Sequence, residues 1–152
     1  MTVLLEGSDA MRFIRKIKTV FTVIQDITEK DGFIVSEKKV NDTIEELRKE
    51  HKIVSIMPHN VGLRPVQLIY DIIYEKNNSL GFGHTRFIKT VLLTVNDFQE
   101  GENVISENKV NEAIDYLVKN GGKIISILPH NIGLNPILVM YDIIYEAEQV
   151  IK

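Results

Sequence analysis

Apolar residues along this chain fall into four recurring segments, and the segments come in the same order twice. The stretch Ile17 to Ile24 is rich in Val, Ile, Thr and Phe without helical spacing of its polar positions, and Ile88 to Val95 repeats it. Both read as strands. Val40, Ile44 and Leu47 then share one helical stripe, matched by Val110, Ile114 and Leu117, while Glu, Lys and Asn fill the positions between. Ser36 and Ser106 stand ahead of these stripes, where a hydroxyl is expected to cap the helix. Asn120-Gly121-Gly122 supplies a stop for the second helix. A short strand follows at Ile53 to Met57 or Ile124 to Leu128. The last apolar run, Val66 to Glu75 or Ile137 to Glu146, begins after a proline, as a helix can, but its density of Val, Ile and Tyr favours a strand.

The agreement extends to individual letters. Lys16-Ile17-Lys18-Thr19-Val20 aligns with Phe87-Ile88-Lys89-Thr90-Val91, Lys39-Val40-Asn41 with Lys109-Val110-Asn111, and Tyr70 to Glu75 is repeated unchanged as Tyr141 to Glu146. The chain is a tandem duplication with a period of about 70 residues. Each unit is strand, helix, strand, strand. The expected class is α+β: two tandem βαββ repeats forming a mixed sheet, or two facing sheets, with the helices on one side. The first and second strands of a unit can lie parallel through a right-handed crossover, and the second and third form a hairpin. The boundaries read from the pattern are 1–75 for the first repeat with an N-terminal extension, 76–86 for a polar, glycine-bearing linker and 87–152 for the second repeat.

The third strands carry a surplus of apolar surface. Val66, Leu68, Tyr70, Ile72 and Tyr74 would share one face, and Ile69, Asp71 and Ile73 the other; the copy shows Met140, Asp142 and Ile144 on that second face. Two helices cover only one face of a sheet. The second face is therefore expected to be buried against another sheet, within the chain or in a homodimer or higher homo-oligomer.

Composition narrows the function classes. A formal charge of -3 gives no global reason to bind a nucleic-acid polymer, whose affinity comes largely from basic groups. The chain has no cysteine, so disulfides and thiol catalysis are excluded. No apolar run approaches the roughly 18 residues needed to span a bilayer, and the opening MTVLLEGSDAMRF lacks a basic start and a long apolar stretch. A cytoplasmic protein without a membrane partner is expected.

Candidate chemistry concentrates in Pro-His-Asn-x-Gly-Leu-x-Pro, which occupies Pro58 to Pro65 and again Pro129 to Pro136. Its prolines and glycines read as a turn. His59 and Asn60, with His130 and Asn131, are polar groups that folding alone does not demand, and an amide beside an imidazole can hold a ring edge or a phosphate oxygen. Gly62 permits a positive backbone dihedral, and Gly62 and Gly133 would join the His-Asn pairs in supplying polar contacts to a ligand. Tyr70 and Tyr141 offer rings for stacking, and Arg64, Lys18 and Lys89 offer positive charge; the counterpart of Arg64 is Asn135. Asp71 and Asp142 are costly in apolar strands unless paired, and His59 or Lys18, or their copies, would serve. Catalytic signatures such as the Gly-x-Ser-x-Gly elbow, the Walker-type phosphate loop and the His-x-x-x-His metal spacing are missing. No enzyme activity, cofactor or metal is expected.

The order strand, helix, Ile53-Val54-Ser55-Ile56 and Tyr70-Asp71-Ile72-Ile73-Tyr74-Glu75, with its copies, resembles the very short sporulation-associated proteins of spore-forming bacteria. That resemblance covers each half, implies no enzyme activity, and leaves out the duplication and the Pro-His-Asn insertion. In kind, a small acidic oligomer with repeated polar turns is similar to phage proteins that sequester nucleotide signals. The expectation is a non-enzymatic protein that captures a small anionic or nucleotide-like molecule. The alternatives are a protein-interaction or structural module using an exposed sheet face, and a nucleotide hydrolase working through His59 or His130.

Overall fold

Ten elements appear in the computed structural model, which describes residues 14–23, 26–27, 29–30, 33–63, 66–76, 83–94, 105–134 and 137–152. They run β1 (Arg15–Val23), β2 (Glu29–Lys30), β3 (Phe33–Ile34), α1 (Val35–Leu47), β4 (His51–Leu63), β5 (Val66–Lys76), β6 (Thr85–Thr94), α2 (Ile105–Lys119), β7 (Lys123–Leu134) and β8 (Ile137–Ala147). The class is α+β, with one three-stranded antiparallel sheet per repeat and a two-stranded ribbon, β2-β3.

Each sheet has its third strand in the middle: the orders are β1-β5-β4 and β6-β8-β7. β5 is antiparallel to both its neighbours, as is β8. The expected parallel relation of first and second strands holds in direction, but β5 or β8 lies between them, so the two do not pair. The two sheets also remain separate and do not merge into one. The expected linker is shorter than 76–86, because β5 runs to Lys76 and β6 begins at Thr85; residues 77–82 lie outside the described residues.

The helical stripes are buried as their spacing requires. Val40 and Ile44 of α1 and Val110 and Leu117 of α2 enter the core with Leu68, Tyr70 and Ile72 of β5 and Ile143 and Tyr145 of β8. Neither Ser36 nor Ser106 stands at a helix start, contrary to expectation. α1 begins at Val35, with Ile34 in the cap position and no side-chain cap bond. Ser36 is instead buried within the first turn, where its hydroxyl has no partner among the described residues. The expected stop of α2 is present: Gly121 adopts φ +94 and the Gly122 amide donates to the Leu117 carbonyl at 2.8 Å.

The Pro-His-Asn segment is not a turn. β4 continues through Pro58, His59 and Asn60 to Leu63, and β7 through Pro129 and His130 to Leu134. Both strands lie at a sheet edge. A proline is tolerated there because its missing amide faces away from the ladder. Each strand carries two register shifts, at Ile53/Ser55 and Asn60/Gly62 and at the equivalent Ile124/Ser126 and Asn131/Gly133. These bulges let a 12- or 13-residue strand pair with an 11-residue one.

Candidate functional site: two aspartates in unequal surroundings

An aspartate at the centre of each sheet gathers the polar residues of its repeat. In the second repeat, Asp142 on β8 is fully buried and accepts three hydrogen bonds. Thr90 Oγ1 donates to Oδ1 at 2.6 Å, while Tyr70 Oη at 2.7 Å and His130 Nε2 at 3.0 Å both reach Oδ2. In the first repeat, Thr19 Oγ1 donates to Asp71 Oδ1 at 2.7 Å and His59 Nε2 lies 3.0 Å from Oδ2. Contact with a carboxylate places the ring proton on Nε2 in both histidines. The pairing of each strand aspartate with a histidine answers the cost that the sequence raised.

The third donor separates the two sites. Tyr70 belongs to the first repeat but serves the aspartate of the second. Tyr141, its counterpart, is half-buried, and among the described residues no hydrogen bond joins it to Asp71. The side chains of His59 and Asp71 are accordingly 42% and 22% exposed, against 10% and 0% for His130 and Asp142.

The same one-way relation holds along the strand edge. Asn41 of α1 brackets Ile88 of β6, its Nδ2 donating to the carbonyl and its Oδ1 accepting from the amide, both at 2.9 Å. Glu37 Oε1, one helical turn earlier, accepts the Thr90 amide at 2.6 Å and lies 4.0 Å from Lys89 Nζ. Two helix side chains thus take the place of a further strand at the β6 edge. Burial raises the Glu37 carboxyl above its ordinary range, against the lowering pull of Lys89 and the Thr90 amide; Asp142 pushes it further up. Burial first, and Asp142 second, raise the Tyr70 phenol, so it stays a donor. Arg86 Nη1 donates to the Val54 carbonyl at the β4 bulge at 2.7 Å, and Arg48 reaches the carbonyls of Glu148 and Gly83, each at 2.7 Å.

No protein-family model matches the chain, and no curated protein or solved structure matches it. The site is therefore read from its own geometry.

The structure brings together His59 with Asp71 and His130 with Asp142, but it does not assemble the remaining expected residues around them. Tyr70 is fully buried, so its ring is closed to stacking. Lys18 registers with Ile72, on the face of β1 opposite Thr19, and Lys89 is turned towards Glu37. Asn60, Gly62, Asn131 and Gly133 have strand backbone beside the second bulges, but their side-chain surroundings, like Arg64 altogether, lie outside the described residues. Among the described residues no cluster of three or more His, Asp or Glu could hold a metal ion. Glu37 and Asn41 escaped sequence reasoning because they sit among the polar positions of an amphipathic helix. Their i, i+4 spacing, repeated at Glu107 and Asn111, was the available signal.

Proposed function

We propose that this protein works by binding rather than catalysis, and that it binds through the face of the first sheet that bears Asp71. One observation carries the reading. Ile17, Phe21 and Met57 stand 61%, 50% and 45% exposed around the polar centre formed by Thr19, Asp71 and His59. Register puts all of these on one face of β1-β5-β4. Apolar surface gathered around a single carboxylate is a binding surface, not an ordinary solvated face. The copy of this site supports one kind of partner, because there the carboxylate receives a phenol. An apolar partner presenting a hydroxyl or amide donor is accommodated better than an anion, because the outward charge is negative.

The test is a photo-crosslinking benzophenone amino acid in place of Phe21, illuminated in the purified protein. The expected result is a discrete adduct in good yield, suppressed when Met57 is also changed to Lys. Products of solvent quenching alone would remove the reading. The mass of the adduct also decides a second reading, capture of a small nucleotide-like molecule, which the phenol on Asp142 favours because a hydroxyl-bearing ring would occupy the open site in the same way. An adduct heavier by a few hundred daltons would support that reading, and one heavier by a protein would not.

A further inference from the structure

The contacts between the two repeats are directional. α1, β4 and Tyr70 of the first repeat hydrogen-bond to β6 and Asp142 of the second, and among the described residues no equivalent hydrogen bond runs back from α2 to β1 or from Tyr141 to Asp71, although the equivalent strands β4 and β7 also touch. Two units related by a twofold axis would make every contact twice. This joint is head to tail, so each end of the chain retains one unused half of it.

We propose that a second copy of this chain docks head to tail on the uncovered face of the first sheet, presenting α2, β7 and Tyr141 to β1 and Asp71. The inference rests on the proposed binding face and names its partner. The internal joint is the template, and its parts recur at the free ends. Asn111, the counterpart of Asn41, is exposed on α2, and Ile17, the counterpart of Ile88, lies on an edge strand with the same register to its neighbour. Glu107 stands where Glu37 does, facing out, and Thr19 and Lys18 stand where Thr90 and Lys89 do. The Arg86 to Val54 bond is matched by Arg15, which is exposed, and Ile125, which occupies the equivalent β7 bulge. Tyr141 would then deliver its hydroxyl to Asp71 of the next copy, completing the three-donor set that Asp142 already has.

Apolar surface follows the same rule. Ile88 is 1% exposed inside the joint, whereas Ile17 is 61%. On the presenting side Ile127 is exposed where its counterpart Ile56 is buried. Among the departures from the template, the exposed Val118 takes the place of Arg48, and Lys16 that of Phe87, the ring over which Arg48 lies. That exchange removes two hydrogen bonds to carbonyls, so the external joint is the weaker of the two.

A head-to-tail joint closes into a ring or runs on as a filament, and it has a signature that a twofold interface lacks. At about 100 micromolar, native mass spectrometry of the full chain should give masses at multiples of 17.4 kDa. Ile17→Asp spoils only the receiving end and Asn111→Arg only the presenting end. Each variant should run as a monomer with an unchanged far-ultraviolet spectrum. Mixed together they retain one intact joint and should form a one-to-one dimer that grows no further. A monomeric wild type, variants that still assemble, or a mixture that stays monomeric would each overturn the proposal. If the Phe21 crosslinker is captured by a different protein, the binding face stands and the second copy does not.

Discussion

The two aspartates differ less in their own strands than in what the other repeat brings to them. Asp71 and Asp142 each have a threonine across the ladder and a histidine on the neighbouring edge strand, at nearly the same distances. Only Asp142 has a tyrosine from the other repeat and an edge strand bracketed by a foreign helix. Burial near a duplicated motif is therefore a property of the joint between units, and equal sequence does not give equal environment.

The sharpest way to break this comparison is to remove each aspartate in chains that also carry Ile17→Asp, so that the proposed docking of a second copy does not contribute. Asp142→Ala strands three buried donors and should cost about 3–5 kcal/mol, while Asp71→Ala, at a half-open site, should cost under about 1 kcal/mol. Urea denaturation of both settles it; equal losses would mean that Tyr70 adds nothing. Next in size is Asn41→Ala, which leaves the Ile88 amide and carbonyl unpaired against β6 and should cost about 2–3 kcal/mol. Asn111→Ala should change stability by no more than a few tenths of a kcal/mol, in the stabilising direction, since alanine is the better helix former. A midpoint shift of similar size in both variants would show that the bracket is not what holds β6. Tyr70→Phe should lose about 1.5–2 kcal/mol for one hydrogen bond to a buried carboxylate, against less than about 0.5 kcal/mol for Tyr141→Phe in the same Ile17→Asp background.

The smallest effect is a pH dependence. Burial raises the folded pKa of Glu37 above its ordinary value of 4.5. Between those two values the folded protein holds a proton that the unfolded chain has released, so stability falls as pH rises through that window and levels off above it. In Glu37→Gln this decline should be absent, so wild type should lose stability relative to the variant as pH climbs from 4.5. A wild-type-minus-variant difference in urea midpoint that stays constant with pH would show that the carboxyl is not desolvated.

Much of this fold was legible in the chain. The 3.6-residue stripe through Val40 and Ile44, the Val- and Ile-rich strands and the Gly121 stop each reflect local chemistry, and all are present. The Pro58 segment misled because a proline and glycine cluster normally marks a turn, whereas at a sheet edge the proline removes only an amide that no strand needed. The two-sided apolar character of β5 and β8 led to the expectation of a second buried face for each, and the structure supplies one for β8 alone. Asp71 with His59 was legible as a pair because both are polar within apolar strands. Tyr70 on Asp142 was not, since which repeat serves which depends on how the units dock, and no periodicity records that.

The connection across residues 77–84 has a thermodynamic consequence for the two aspartates. Joining β5 to β6 by so short a link places α1 beside β6 at an effective concentration in about the millimolar range, whatever the protein's own dilution. Closure over Asp142 is thus a first-order event, indifferent to how many molecules are present. Any closure over Asp71 by another molecule is second-order and follows mass action. If the proposed docking on Asp71 holds, one chain carries two versions of a single recognition event, and the abundance of the protein acts on one of them alone.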